Sequence, residues 1–305
     1  MKRLYFILIM GLMLQISCFA QHFPIYSQYM MNGLTINPAY AGSREVLSAT
    51  LLYRQQWVGF EGAPTIFSFG AHMPFRNQRV SLGVLALNES VGIEKNTALY
   101  GNYSYRIQLG RGKMALGLKA GFNLVKELNS KITLHDPSGD AAFENMKEIA
   151  FMPNFGFGVY YSAPAYFIGA SIPSLLTYSL NSESLNMGFK NYNVLLTGGY
   201  LYKFNDQFKI KPSTLVKYRY GSSPQVDLNL NFIFLKDDIL WIGPSYRINE
   251  ALVGLVEIQV SRKFRLGYSY DIPLGVLRKY KSGSHEIMLR YEWRDKINTL
   301  NPLYF

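Results

Sequence analysis

The sequence predicts an all-β protein: a transmembrane antiparallel β-barrel of about 14 strands, with a short N-terminal segment outside the strands. Three observations predict it. Segments of about ten residues alternate between apolar and polar side chains, which is the period and length of tilted membrane strands. Aromatic residues make up 15% of the chain and charged residues 17%, against about 25% charged residues in soluble domains. No uninterrupted apolar stretch reaches the roughly 18 residues of a membrane helix.

Residues 1–20 have the pattern of a secretory signal peptide. Lys2 and Arg3 form a charged start, residues 4–14 are almost wholly apolar, and the segment ends at the small residue Ala20. The apolar run is too short to span a bilayer, which takes about 20 residues. We therefore expect export and cleavage after this segment.

Cys18 is the single cysteine and allows a second interpretation of the leader, in which it is acylated as in a lipoprotein. Gln15, Ile16 and Ser17 in front of it are a poor match to the small apolar residues expected there. Cleavage after Ala20 leaves a mature chain without cysteine. Such a chain needs no disulfide and offers no thiol chemistry in an oxidising periplasm.

Residues 21–45 do not alternate. They are rich in Tyr, Met, Asn and Gly and contain a turn at Asn37-Pro38. A segment this apolar must pack against something. We expect it to lie at the periplasmic mouth of the barrel or in its lumen.

The barrel is predicted over residues 46–293. Its alternating segments number about 14, an even number as in other barrels of this class. In Gln225–Phe234 the even positions are all apolar while most odd positions are polar, so one face suits lipid and the other a wet lumen. The predicted strands are 46–57, 64–75, 79–90, 96–109, 113–126, 151–162, 165–172, 191–204, 207–220, 224–235, 238–248, 250–260, 263–272 and 284–293.

Short polar turns alternate with longer connections along the chain. The longer ones all fall on one side of the predicted barrel: 58–63, 127–150, 173–190 and 273–283. Outer-membrane barrels have short periplasmic turns and long outer loops. We therefore expect the protein in the cell outer membrane with both termini periplasmic, residues 294–305 forming a periplasmic tail.

Charged side chains in the strands are expected to point inward, because a charge facing lipid at the bilayer midplane costs about 2–4 kcal/mol. One interpretation is a ladder of salt bridges and waters that fills the barrel. The other is a basic conduit for an anionic solute or an acidic segment, which a dense charge network disfavours because it closes a pore as readily as it lines one. The candidate lumen charges are Arg106, Lys119, Lys217, Arg219, Asp227, Arg247, Glu257, Arg265, Glu286 and Arg290, with Lys209, Lys211, Asp271 and Glu292 on the same face.

A soluble β-sandwich or lipocalin-like barrel would also alternate, but its apolar faces would total one core. Here nearly every long strand has an apolar face with aromatic residues near its ends, such as Tyr218, Tyr220, Tyr291 and Trp293, which we expect to form interface girdles. The net charge of +11 would suit nucleic acid, but Lys and Arg are spread singly along the chain rather than clustered. We expect lipid to surround the barrel, and we do not expect nucleic acid as a partner.

The four histidines, His22, His72, His135 and His285, do not form a recognisable catalytic or metal motif. No pair has metal-ligand spacing, and none lies near a Ser or Asp in a nucleophile motif. His135 precedes an Asp in the longest outer connection, but the Asp-Pro-Ser-Gly sequence there is typical of a solvated turn. The expectation is no enzyme, no cofactor and no metal.

Several motifs, each ordinary alone, occur along the mature chain. They are Ser27-Gln28-Tyr29-Met30, Asn37-Pro38-Ala39-Tyr40-Ala41-Gly42-Ser43, Tyr53-Arg54-Gln55-Gln56-Trp57, Gly62-Ala63-Pro64, His72-Met73-Pro74, Ser284-His285-Glu286-Ile287-Met288-Leu289-Arg290-Tyr291 and Pro302-Leu303-Tyr304-Phe305. Together they resemble one known family, the PorP/SprF outer-membrane proteins associated with the type IX secretion system of Bacteroidota. The resemblance spans the mature chain from end to end.

The resemblance implies a barrel that works with the type IX machinery, as a component or as a dedicated partner, in export or surface attachment of secreted proteins of the adhesin or gliding type. Its partners would be outer-membrane lipid and either the machinery or a secreted surface protein. We expect the protein partner to bind the outer loops, such as 127–150 and 173–190, or the periplasmic mouth. The alternative is a passive channel or hydrophobic-solute transporter, because the turn at Asn37 is also similar to the N-terminal plug of fatty-acid transporters. The family-motif residues are Asn37, Pro38, Ala39, Tyr40, Gly42, Tyr53, Arg54, Trp57, Gly62 and Pro64.

Overall fold

The computed structural model describes residues 26–127, 149–179, 184–186, 192–274 and 282–293. The expected signal peptide at 1–20, the tail at 294–305, most of the 127–150 connection, His22 and His135 lie outside these residues. The strands are β1 (Leu47–Gln55), β2 (Thr65–Pro74), β3 (Val80–Val91), β4 (Glu94–Leu109), β5 (Gly112–Glu127), β6 (Ile149–Ser162), β7 (Tyr166–Ile172), β8 (Thr177–Ser179), β9 (Ser184–Asn186), β10 (Asn193–Tyr200), β11 (Tyr202–Lys203), β12 (Phe208–Arg219), β13 (Gln225–Phe234), β14 (Leu240–Arg247), β15 (Ala251–Gln259), β16 (Phe264–Pro273) and β17 (Ser284–Trp293).

Fourteen of these strands close into one antiparallel barrel. Neighbours along the chain pair with each other, and the pairs β1–β17 and β10–β12 complete the ring. β11 adds a two-residue pairing beside β12, while β8 and β9 form a separate small sheet. The predicted fold class and strand number are confirmed. In the part of the chain that is described, no helix is long and apolar enough to cross a membrane.

The strands have an exposed apolar outer face and a buried inner face. In β17, Ile287 and Leu289 are 48% and 39% exposed, whereas Glu286 and Arg290 are 0% and 2% exposed. The exposed residues form the surface that a barrel turns to lipid, because each lies on the outer side of a closed backbone hydrogen-bond ladder. The period of two therefore separates a lipid-facing surface from an interior that carries the charged groups.

The two ends of the barrel differ in their connections. Leu47 at the start of β1 pairs with Trp293 at the end of β17, so the barrel begins and ends at the same rim. This rim, the short-turn end, also carries the turns 75–79, 110–111, 163–165, 204–207, 235–239 and 260–263. The opposite rim, the long-loop end, carries the connections 56–64, 128–148, 173–192 and 274–283 and the shorter turns 92–93, 220–224 and 248–250.

Candidate functional site

Residues 26–46, which we call the plug, contribute no strand and pack inside the barrel. Every plug residue except Met30 is buried. Two short 3₁₀ turns, Gly33–Thr35 and Pro38–Tyr40, give the segment its compact shape. The side-chain oxygen of Asn37 caps the second turn by accepting a hydrogen bond from the N–H of Ala39 at 2.9 Å.

Glycines in the wall make room for the plug at this turn. A Cβ atom at Gly117 would overlap the backbone of Ala39, and one at Gly158 would overlap the side chain of Asn37. The amide of Asn37 also donates a hydrogen bond to the carbonyl oxygen of Val159 at 3.0 Å. The second turn therefore lies directly against β5 and β6, where the backbone of the plug comes close to the backbone of the wall.

At the long-loop end, the plug begins in a buried ionic cluster, which we call the Arg54 cluster (Ser27, Arg54, Arg247, Asp271 and Glu286). Arg54 lies 2.7 Å from Asp271 and 3.1 Å from Glu286. The hydroxyl of Ser27 donates to Asp271 at 2.7 Å, and its N–H donates to Glu286 at 2.9 Å. Arg247 approaches Asp271 to 3.4 Å. Buried carboxylates need such partners, and the plug supplies some of them.

At the short-turn end, the plug finishes between further charged groups of the wall. Arg44 forms an ion pair with Glu292 at 2.6 Å, and Glu45 pairs with Lys113. The N–H of Gly42 donates to Nδ1 of His72 at 2.9 Å. The plug thus runs through the barrel from the long-loop end at Ser27 to the short-turn end, where β1 begins.

Between these two ends, wall side chains satisfy the plug backbone. Arg106 donates to the carbonyl oxygen of Ala41 at 2.8 Å, and Arg290 donates to the carbonyl oxygen of Met31. Ser171 donates to the carbonyl oxygen of Ile36 at 2.6 Å. A segment with no sheet partner must find hydrogen bonds for its carbonyls elsewhere. Side chains of the wall, both arginine and serine, provide them.

Apolar side chains of the plug pack against inward-facing apolar residues of the wall. Tyr40 meets the ring of Tyr160 edge-on at a centroid distance of 5.7 Å. Leu34, which is 1% exposed, belongs to the same buried cluster as Ile233 and Met288 of the wall. The interior is therefore a packed core with ionic groups in it, and the wet lumen expected from the alternation is filled by the plug.

The structure buries nine of the ten candidate lumen charges and leaves Arg219, at the end of β12, half-buried. It brings Arg247 and Glu286 together in the Arg54 cluster, with Asp227 3.4 Å from Arg247. A second group joins Glu257 to Arg265 at 3.1 Å and to Arg290 at 3.5 Å. Arg106 binds the plug, Lys119 lies over the ring of Tyr100 at 3.9 Å, and Lys217 is buried.

The family-motif residues fall into three places. Asn37, Pro38, Ala39, Tyr40 and Gly42 belong to the plug, and Gly42 adopts a φ of +71° with no room for a Cβ beside Ser81 and Arg106. Arg54 is the centre of the ionic cluster. Trp57, Gly62 and Pro64 lie in the first connection of the long-loop end, and Tyr53 is 44% exposed on the outer face.

Arg54 and Arg44 are among the buried charged residues that are not predicted from the sequence as charge partners of the interior. In the sequence, Arg54 is noted only as part of a family motif. It nevertheless continues the inward register of Ser48, Thr50 and Leu52 in β1. That register is the signal that could have identified it. Arg44 lies in the plug, where no periodicity exists, so the sequence contains no comparable signal for its pairing with Glu292.

The short-turn end has a strongly basic surface, which we call the basic rim. Among the residues that the structure describes, two exposed acids accompany it, Asp206 and Asp237. Asp206 lies 2.7 Å from Lys203, whose hydrogen bond and positive charge hold the pKa of that carboxyl below its usual value. The exposed basic residues of the rim are Arg76, Arg79, Arg111, Lys203, Lys236, Arg262 and Lys263.

A closed antiparallel barrel with an apolar outer surface and a charged interior defines an outer-membrane β-barrel protein. Residues 18–291 match one family, the type IX secretion system membrane protein PorP/SprF. The chain belongs to this family, so the resemblance carried by its motifs is confirmed. Among curated proteins, none matches the chain.

Two solved structures have a similar fold. The toluene transporter TbuX of Ralstonia pickettii is 11% identical, with a TM-score of 0.52 over 92% of this chain and 97% of that one. The CymD monoaromatic hydrocarbon channel is 13% identical, with a TM-score of 0.50 over the same shares of the two chains. At this identity the likeness shows the fold alone.

Proposed function

We propose that the protein acts in type IX secretion through protein–protein contacts, in the export or surface attachment of secreted proteins of the adhesin or gliding type. The observation that carries this proposal, together with family membership, is the filled interior. Residues 26–46 occupy the lumen, with hydrogen bonds to the Arg54 cluster at one end, ion pairs at the other end and packed side chains between. In this proposal, a barrel whose lumen is filled by its own chain acts through its surfaces.

The two rims offer different surfaces to partners. In this proposal the short-turn end faces the periplasm, with the start of β1 and the end of β17, and the basic rim meets acidic surfaces of the secretion machinery. The long-loop end faces the cell exterior and meets the secreted protein, since loops carry binding more often than strands do. Cleavage of residues 1–20 in a bacterium of the Bacteroidota, and the absence of a catalytic step, belong to the same proposal.

A passive channel or hydrophobic-solute transporter is the second candidate, because TbuX and CymD share the fold. The apolar cavity beside the plug is lined by Tyr29, Ile36, Tyr40 and Phe167 and measures about 20 Å³. This volume accommodates about one water molecule, whereas a cavity that holds benzene measures about 150 Å³. The plugged conformation therefore favours the first candidate.

The decisive experiment is deletion of the gene, followed by comparison of the secreted and surface-attached proteins of the two strains. We expect particular secreted proteins to lose their surface attachment or to accumulate in the periplasm, and complementation with the intact chain to restore them. Normal export and attachment of every such protein would contradict the proposal.

Complementation with a variant of the basic rim tests which of the two rims is required for surface attachment. Arg76→Glu, Arg79→Glu, Arg262→Glu and Lys263→Glu together reverse four charges of the basic rim without touching the interior. If the rim binds the machinery, this variant inserts normally but does not restore surface attachment. Full restoration would remove the basic rim from the proposal and leave the long-loop end as the binding surface.

A further inference from the structure

A second cavity lies between the plug and the wall near the long-loop end. Its volume is about 190 Å³, comparable to about six molecules of liquid water at roughly 30 Å³ each, or to one solute of amino-acid size. The plug contributes Tyr26 and Thr35 to its lining. The wall contributes mainly polar side chains, among them Glu89, Asn96, Lys119, Asn123, Asn154 and Asn193.

Lys119 is the cation of this cavity. It is 8% exposed, and its ammonium lies 3.9 Å from the centroid of the Tyr100 ring. Within the described parts of the chain it forms neither an ion pair nor a hydrogen bond. A ring face offsets only part of the loss of hydration of a buried ammonium. An anion in the adjoining cavity would supply the missing charge.

Two further polar groups of the lining are unsatisfied. The hydroxyl of Tyr26 and the side-chain oxygen of Asn96 are buried, and no residue of the described ranges hydrogen-bonds to either. Asn123 accepts a hydrogen bond from Tyr100 at 2.5 Å through its oxygen, which leaves its amide N–H groups to donate. The lining thus combines a cation and two donors with the acceptors Asn96 and Glu89.

We propose that this cavity binds a small zwitterionic carboxylate, a solute of the amino-acid class. Its carboxylate pairs with the ammonium of Lys119 and accepts hydrogen bonds from Tyr26 and Asn123. Its amino group donates to the oxygen of Asn96 and lies on the side of Glu89. Because Tyr26 belongs to the plug, the bound solute also ties the plug to the wall. This site is independent of the partner-binding role proposed above.

The test is calorimetric titration of the purified full-length protein in detergent micelles with three probes: glycine, acetate and ethanolamine. Glycine carries both groups of the proposed ligand, acetate only the carboxylate and ethanolamine only the ammonium. We expect saturable binding of glycine, weaker binding of acetate and none of ethanolamine. The absence of saturable glycine binding, or ethanolamine binding as tight as that of glycine, would overturn the proposal.

Substitutions in the lining test whether glycine binds in this cavity. Lys119→Met is expected to weaken glycine binding at least about tenfold, because it removes a charge-assisted contact. Lys217→Met is the matched control: it removes another buried lysine of the interior, one that does not line this cavity, and leaves binding unchanged. Equal losses in both variants would mean a general change of the interior and would overturn the assignment. If Lys119→Met does not fold, Tyr26→Phe tests the same site, with a several-fold loss expected and unchanged binding as the contrary result.

Discussion

The barrel wall and the plug are held by different kinds of contact. The wall is a continuous ladder of backbone hydrogen bonds, as between β4 and β5, which pair along their whole length from Glu94 opposite Glu127 to Leu109 opposite Gly112. Within the described residues, the backbone-to-backbone hydrogen bonds of the plug lie within its own turns. The plug contacts the wall through hydrogen bonds that involve a side chain, such as those of Asn37, Arg106 and Arg290. The fold of the wall is thus specified by a local sequence pattern, and that of the plug by side-chain contacts between residues far apart in the sequence.

This difference explains the charges of the interior. A barrel of 14 strands is too wide for its own side chains to fill. The wall therefore carries long basic side chains whose partners are carbonyls and carboxylates of the plug and of neighbouring strands. Burying such charges is costly unless they are paired, so wall and plug depend on each other in the folded protein.

Removal of the plug has the largest expected effect. Deletion of residues 26–45 removes no residue of the strands that form the wall, but it empties the lumen. We therefore expect steady conductance in planar bilayers. The full-length protein, measured under the same conditions, should be silent. Insertion of the variant is checked by heat-dependent migration in gels, which reports a folded barrel.

Steady conductance of the full-length chain would contradict the plugged interior and favour the channel function. A variant that inserts but stays silent would show that the wall side chains close the lumen by themselves. In that case the plug would be required for stability rather than for closure.

Most of the wall could be predicted from the sequence, because period two acts at every residue and the bilayer sets the strand length. The predicted strand 224–235, for example, is observed as Gln225–Phe234. The predicted strand 191–204 is interrupted at Leu201, whose N–H donates to the carbonyl oxygen of Ala165 and whose side chain is buried. Alternation alone does not reveal such a local break in the pairing.

The site could be predicted only in part. Inward charges such as Glu257 follow from alternation, but their partners depend on which strands face each other across the barrel. Ser27 and Glu286 are 259 residues apart in the chain, and no local pattern links them. The close approach of Gly117 to Ala39 is equally invisible in the sequence, since a glycine within a strand can also mark a bulge or a bend.

Loss of Arg54 should be the most costly single substitution. Arg54→Met leaves Asp271 and Glu286 buried with less compensating charge, and breaking a buried ion pair costs about 3–5 kcal/mol. Urea unfolding in lipid vesicles measures this cost. Arg219→Met, which removes a half-buried arginine at the end of β12, is the control, with an expected change within about 0.5 kcal/mol. Similar costs for both would show that the ionic cluster does not stabilise the plugged state.

A charge on the outer face tests the wall alone. Leu118 is 61% exposed at the middle of β5, so Leu118→Arg should destabilise the inserted barrel by about 2–4 kcal/mol. Leu109→Arg, at the short-turn end of β4, should cost only about 0–1 kcal/mol because the charge reaches the interface. The same urea titration in vesicles measures both. Equal costs would mean that the two positions lie at the same depth, against the predicted placement of the strands in the bilayer.

The smallest expected effect concerns one hydrogen bond between plug and wall. The amide of Asn229 donates to the hydroxyl of Tyr29 at 2.5 Å, so Tyr29→Phe should cost about 1 kcal/mol in urea unfolding. Tyr26→Phe removes a hydroxyl of the same plug that has no partner among the described residues, and without added carboxylate it should be close to neutral. If Tyr26→Phe cost as much as Tyr29→Phe, the loss in Tyr29→Phe could not be assigned to the hydrogen bond with Asn229, and the prediction would fail.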